Sequence, residues 1–258
     1  DLADAEGLAS ALKEEKFNYV IHAGSVNDGF EDGYMSRSYS VNSFGTRNLI
    51  HALDLDFVEH FIYLSTFQVY GAYSGKINEN TQPSPKNDYG MSHLLAEYFL
   101  SMDIPDSKFS IIRLTNSYGC PKDVFSSKWY LVLNDLCRSA VTRKEIKLLG
   151  NGKALRDFIW MGDVSTVLLD LLKLTARNEV YNLSRGEVMS MYDVAERVQA
   201  AYKQHYGVSL PIQLNDNDKT SPDKSLVVDS AKIQERLVII YQDKFVKEAI
   251  EIFKMLEK

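Results

Sequence analysis

Between Phe17 and Leu114, short apolar runs alternate with helix-patterned segments, and this alternation leaves few folds open. Phe17–Gly24, Val58–Ser65 and Phe109–Leu114 are too short for buried helices and rich in β-branched and aromatic residues, so they read as buried strands. Between them, Ser38–Leu53 repeats apolar residues with helical period (Tyr39, Phe44, Leu49, Ile50), although Gly45 weakens it, and Asp88–Met102 predicts a second helix. Ahead of the first strand, Asp4 can cap a short helix running to about Lys16, with Leu8, Ala11 and Leu12 on one face. Gly71–Asn87, polar and containing Pro83 and Pro85, predicts a turn-rich connection. Such alternation builds an α/β fold with a doubly wound parallel sheet. Beyond Tyr118 the pattern loosens. Helices are expected at 127–142, 163–176, 190–205 and 243–257, strands at 145–149, 157–161 and 179–183, and a polar surface loop at 215–224.

Composition narrows the function classes. A formal charge of −6 with no dense Lys/Arg run argues against a nucleic-acid surface. No apolar run approaches the ~18 residues that span a bilayer, so no membrane partner is expected. The start, Asp1-Leu2-Ala3-Asp4, lacks the pattern of a signal peptide. Cys120 and Cys137 have no metal-ligand spacing and are too few for a disulfide framework, which fits a cytoplasmic setting. The five histidines form no H-x-x-x-H pair, so no metal site is expected.

Two residue patterns point to chemistry. Tyr89 and His93 lie four apart on a predicted helix and so share a face. Thr66 follows a buried strand, at the carboxyl end where open α/β sheets bind ligands. A bland reading competes with each: an i,i+4 Tyr–His pair commonly just packs, and His22 inside a strand reads as a satisfied core histidine. Arg156 can pair with Asp157 or Asp163, and Trp129 and Trp160 read as core or pocket wall.

Taken in order, Val20-Ile21-His22-Ala23-Gly24, Ser65-Thr66-Phe67-Gln68-Val69-Tyr70-Gly71, Tyr89-Gly90-Met91-Ser92-His93 and Arg113-Leu114-Thr115-Asn116-Ser117-Tyr118-Gly119 resemble the extended short-chain dehydrogenase/reductase family, the NAD-dependent nucleotide-sugar epimerases and dehydratases. Gly150-Asn151-Gly152-Lys153-Ala154-Leu155-Arg156-Asp157-Phe158-Ile159 and Glu179-Val180-Tyr181-Asn182-Leu183 continue the likeness. The resemblance implies a Rossmann-like fold. Residues 1–119 with about 160–185 would form the dinucleotide-binding part, and about 120–159 with 186–258 a smaller α/β substrate-binding domain. It also implies a homodimer, formed through the helices at 38–53 and 88–102.

The same resemblance assigns roles. Tyr89 is the implied acid/base and Thr66 the hydroxyl that bonds the reacting oxygen, with Ser65 as its neighbouring candidate. His93 stands where the family has lysine, and near pKa 6.5 an imidazole is mostly neutral at pH 7. Tyr89 is therefore expected to titrate higher than in lysine-bearing relatives. Asp1 and Leu2 resemble the acidic motif that meets the adenine. Ala23, Gly24 and Ser25 form the turn beside the cofactor, Asn42 steadies the strand ends, and Ser65, Tyr89, His93 and Thr115 complete the implied NAD(P) contacts. Thr66, Gln68, Asn116 and Arg156 are the implied substrate contacts, Arg156 suiting phosphate oxygens through its planar fork.

A dinucleotide-binding sheet normally opens with a strand, a G-x-G-x-x-G turn and a helix, and this chain contains no such turn. Roughly 60 residues are expected upstream of Asp1 on that template, and without them the chain should bind NAD or NADP (NAD favoured) weakly. Phe67 and Gln68 follow Thr66 where the family's 4,6-dehydratases carry Asp-Glu; neither transfers a proton usefully, which argues against dehydration. The expected function is an epimerase or keto-reductase of a nucleotide-linked sugar. A degenerate, non-catalytic binder and a reductase of non-sugar ketones are the alternatives.

Overall fold

The computed structural model describes residues 1–27, 34–72, 74–105, 108–175, 178–215 and 225–258; apart from Asn215, the loop expected at 215–224 lies outside them. Asp4 caps the first helix, α1 (Ala5–Leu12), by accepting from the Gly7 amide at 2.9 Å. The helix stops short of Lys16. Lys13-Glu14-Glu15-Lys16 adds nothing to the apolar face, and acidic residues oppose the dipole at a helix C-terminus. Next come β1 (Tyr19–His22), α2 (Tyr34–Ser38), a π-helical turn Tyr39–Phe44 and α3 (Gly45–Ala52). β2 (His60–Thr66), a 3-10 turn Phe67–Tyr70, β3 (Gly75–Ile77), α4 (Asp88–Asp103) and β4 (Phe109–Leu114) follow. The remainder holds β5 (Asn116–Tyr118), α5 (Val132–Arg143), β6 (Ile146–Lys147), β7 (Leu155–Trp160), α6 (Met161–Leu172), β8 (Glu179–Leu183), β9 (Val188–Ser190), α7 (Met191–Tyr206), β10 (Ile212–Gln213), β11 (Leu226–Val228), α8 (Ala231–Gln234) and α9 (Phe245–Leu256).

The main sheet runs β1-β2-β4-β8, all parallel. Its inner strands bury both faces, as parallel sheets do when helices cover each side. Phe61, Tyr63 and Ile111 pack with Ile50 of α3 and with Ala96 and Leu100 of α4. The alternate residues Ile62 and Ile112 pack with Val164, Val167 and Leu171 of α6. A separate apolar cluster joins α5, α7 and α9 through Leu133, Val198 and Phe253. Three small sheets sit apart from the main one: β5-β7-β9, β6 with β10, and β3 with β11.

The helix expected at 38–53 departs from regular form. The Gly45 amide bonds the Ser40 carbonyl five residues back, which defines the π turn. A Cβ on Gly45 would lie 2.8 Å from the Leu2 side chain, so the glycine that weakens helix propensity is there because the chain's start crosses the helix at that point. Asn42, Ser43 and Thr46 are fully buried around this turn, and each is hydrogen-bonded.

Candidate active site

The start of α4 is set by two backbone approaches. Asn87 accepts from the Gly90 amide at 2.7 Å and donates to Gln68 Oε1 at 2.8 Å, tying the helix to the 67–70 turn. A Cβ on Gly90 would sit 2.7 Å from the Gln68 carbonyl oxygen, so only glycine lets the helix rest there. Gly71 closes the turn at φ 60°, where a side chain would also collide with the Ser84 carbonyl.

This seating brings Tyr89 and His93 together, their rings edge-on with centroids 4.6 Å apart. His93 is 2% exposed; its Nδ1 lies 2.7 Å from the Tyr63 hydroxyl, and its buried Nε2 has no hydrogen-bond partner among the described residues. Burial pushes the His93 pKa down to about 3, with the nearby His22 adding to the fall, so the imidazole is neutral. Burial likewise pushes the Tyr89 phenol up to about 12, against a hydrogen bond with Ser25 that pulls it down.

Beneath these rings the exit of β1 is clamped. Asn42 Oδ1 accepts from the Val26 amide at 2.8 Å, while its Nδ2 donates to the Val26 carbonyl at 3.0 Å and to Ser92 Oγ at 3.1 Å. Asn42 thus fixes the Ala23-Gly24-Ser25 turn against α4. His22 Nε2 meets Thr46 Oγ1 at 2.8 Å, so it is the satisfied core histidine the strand pattern suggests. Its pKa falls to about 4 through burial. Ala23 and Gly24 are exposed at the strand end. The Leu2 side chain comes within 3.1 Å of where a Gly24 Cβ would be, and the Leu2 carbonyl accepts from Asn48, so Asp1-Leu2 abuts the same turn.

A cleft of about 210 Å³ opens at the start of α4, and Gln68, Lys86, Asn87, Thr115, Asn116, Arg156 and Asp157 line it. Thr115 Oγ1 donates to Asp157 Oδ1 at 2.6 Å, and Asn116 Nδ2 donates to the Asp157 carbonyl at 3.0 Å. Asp157 also accepts from the Arg185 and Gly186 amides, and Asp163 from the Gln242 amide. Arg156 donates to the Leu155 carbonyl at 2.7 Å and lines both this cleft and an adjoining one that reaches Tyr118 and Tyr130. Lys86 adds a second cation at the rim.

The structure therefore gathers Ser25, Asn42, Tyr89 and His93 in one group and Gln68, Thr115, Asn116 and Arg156 in another. Thr66 stands where β2 passes into the turn between them, its Oγ1 accepting from the Gln68 amide at 3.2 Å. Ser65 turns away: its hydroxyl donates at 2.5 Å to Glu97, which also holds Arg113. Sequence reasoning missed Tyr63, Lys86, Asn87 and Asp157. Asn87 carried a readable signal, an asparagine just ahead of a helical pattern; a tyrosine within an apolar strand carries none. Among the described residues no His/Cys/Asp/Glu cluster suits a metal ion, and no helix is long and apolar enough to cross a membrane.

Fold and site together define a doubly wound α/β protein with a ligand cleft at the carboxyl edge of its parallel sheet. The chain belongs to the NAD-dependent epimerase/dehydratase family, whose model matches residues 1–184. It is 28% identical over 211 residues to the dTDP-D-glucose 4,6-dehydratase of Homo sapiens, covering 77% of this chain and 56% of that protein. For the protein of that name from Dictyostelium discoideum the identity is 26% over 221 residues, covering 77% and 48%. The chain thus spans about half the length of the curated relatives it matches. Among solved structures, RMD from Pseudomonas aeruginosa complexed with NADPH superposes with a TM-score of 0.82 at 22% identity, covering all of this chain and 86% of that one. The UDP-glucose 4-epimerase of Thermotoga maritima with UDP-glucose gives 0.80 at 19% identity, covering 100% and 82%.

Proposed function

We propose that this chain carries the reactive part of an NAD(P)-dependent epimerase or keto-reductase acting on a nucleotide-linked sugar. The observation that carries the reading is the contact pair Tyr89–His93 on the helix whose capping Asn87 lines the cleft, with His93 Nε2 buried and without a partner among the described residues. An orphaned buried nitrogen is costly unless a ligand meets it, and a ribose hydroxyl suits it. The exposed Ala23-Gly24 turn, clamped by Asn42, leaves backbone accessible on the same side. NAD is the favoured dinucleotide, and when bound it supplies the hydride acceptor and donor.

In this reading Tyr89 moves the proton at the reacting hydroxyl of the sugar, and Thr66 hydrogen-bonds the same oxygen. His93 holds the ribose; Asp1, Leu2, Ala23, Gly24 and Ser25 border the cofactor, while the Ser65 hydroxyl donates to Glu97 and that of Thr115 to Asp157. Gln68, Asn116 and Arg156 hold the nucleotide sugar, the guanidinium meeting phosphate oxygens. Phe67 and Gln68 supply no acid or base next to Thr66, and Gln68 Oε1 already accepts from Asn87. Epimerisation and keto-reduction need no second proton carrier there, whereas dehydration does. Assaying the full-length protein with NAD or NADP against UDP-, GDP- and dTDP-linked sugars tests the assignment: interconversion or reduction of one of them supports it, and inertness toward all of them removes it.

A phenol with a pKa of about 12 is ionised in only about one molecule in 10⁵ at pH 7. The rate should therefore climb with pH across the neutral and alkaline range. His93→Lys places a cation beside the phenol, favours its charged form and should move the profile toward lower pH. An unmoved profile would refute the electrostatic role given to this position. The neutral His93 also favours one second reading, a non-catalytic nucleotide-sugar binder, which turnover by the full-length protein rejects. Met91, Tyr98 and Met102 are exposed on α4, as are Met35 and Phe44 on the α2–α3 run. This apolar face supports a homodimer through those helices. Sedimentation equilibrium of the wild type and of Tyr98→Asp checks it, the variant being expected as a monomer.

A further inference from the structure

The buried imidazole of His93 carries one proton, and the site's chemistry depends on which nitrogen holds it. Nδ1 lies 2.7 Å from the Tyr63 hydroxyl and Nε2 meets nothing among the described residues. Tyr63 rises from β2, is 1% exposed, and packs its ring 5.8 Å from that of His93. Two proton arrangements fit the 2.7 Å contact. In one the phenol donates to Nδ1 and the imidazole proton sits on Nε2. In the other Nδ1–H donates to the phenol oxygen, Nε2 is a bare lone pair, and the phenol proton needs another acceptor. Thr46 is the competing partner for that proton. Its own hydroxyl hydrogen goes to the Asn42 carbonyl at 2.7 Å, and its oxygen already faces His22 Nε2 at 2.8 Å. An imidazole nitrogen is also a better acceptor than a phenol oxygen that is itself a good donor.

We propose that Tyr63 is the positioning residue of His93: its hydroxyl donates to Nδ1, fixing the tautomer that presents Nε2–H to the site. This rests on the reading of His93 as the residue that meets the cofactor ribose. The groups facing the imidazole are Tyr63, Tyr89 and His22, none of them a carboxylate. Glu97, one turn along α4, spends its oxygens on Ser65 and Arg113. Nothing here draws a second proton onto the ring, so the family's ammonium is replaced by a neutral donor whose direction comes from β2. Losing the phenol hydroxyl frees the proton to occupy either nitrogen, and a lone pair at Nε2 cannot donate to a hydroxyl oxygen.

The deciding measurement needs no cofactor. Long-range ¹H–¹⁵N correlation on ¹⁵N-histidine-labelled full-length protein, with His93→Gln to assign one of the five imidazoles, reads the tautomer directly. Expected for the wild type is neutral His93 with its proton on Nε2; a proton on Nδ1, or an imidazolium at pH 7, overturns the proposal. In Tyr63→Phe the signal should move to a mixture of tautomers, and affinity for the dinucleotide should fall about tenfold, the worth of one directed hydrogen bond. A Tyr63→Phe spectrum that keeps the pure Nε2–H form also overturns it. Should that variant not fold, the wild-type spectrum still decides. An Nε2–H tautomer in a protein that turns over no nucleotide sugar upholds this inference while removing the proposed reaction; an Nδ1–H tautomer in an active enzyme does the reverse.

Discussion

Tyr89→Phe should lower kcat on a nucleotide-linked sugar by on the order of 10²–10⁴-fold, the range that a general acid/base contributes. KM and the unfolding midpoint should stay close to those of the wild type. The phenyl ring keeps its edge contact with His93, and the lost hydroxyl is one that burial already disfavours in its ionised form. Steady-state kinetics with separate kcat and KM values provide the check. A drop in kcat of less than tenfold would mean that another group moves the proton, and the assignment of Tyr89 would fail. An effect confined to KM would point to a packing or binding role instead.

The second large effect is on stability. Glu97 and Arg113 form an ion pair at 2.6 Å with side chains only 5% and 6% exposed, and Ser65 adds a third hydrogen bond to the carboxylate. Arg113 also lies over the Tyr70 ring at 4.7 Å, and Tyr70 in turn donates to Asn182. Glu97→Ala should therefore cost about 3–5 kcal/mol, because it strands a guanidinium among β2, β4 and α4. Urea unfolding of the wild type and variant measures it. Pairing Glu97→Leu with Arg113→Met should recover most of the loss, since a well-packed apolar pair can replace a buried ionic one. A single-variant cost below about 1 kcal/mol, the value of an exposed pair, would contradict the burial argument.

How legible the chain was depended on the range of each determinant. β4 and β8 lie where continuous apolar runs between helical segments place them, and the Asp4 cap is a local event that three residues specify. The 157–161 strand and 163–176 helix each begin two residues early, at Leu155 and Met161, because pairing of β7 with β9 extends the strand at its start, and the helix ends at Leu172. Short strands such as β3, β5, β9 and β11 escape a pattern search, since two or three residues show no period. The glycine that closes the π turn is equally hidden in its reason: Leu2, 43 positions away in the chain, crosses it and leaves no room for a side chain. In the site, the Tyr89–His93 pair was readable from its i,i+4 spacing. Tyr63, which meets His93 across 30 positions, was not. Glu97 likewise gave no local sign that Ser65 and Arg113 would converge on it.

The ribbon of β3 and β11 has a consequence for how the cleft comes into being. Gly75 pairs with Leu226 and Ile77 with Val228, and Leu226 and Val228 line the cleft together with Gln68 and Asn87. One wall of the cleft is therefore supplied by the last fifth of the polypeptide. During synthesis the main sheet can assemble as soon as β8 has emerged, yet the cleft lacks a side until some forty further residues have followed. In the finished molecule the same three-residue ribbon, held by few ladder bonds, should be among the first segments to exchange its amide hydrogens.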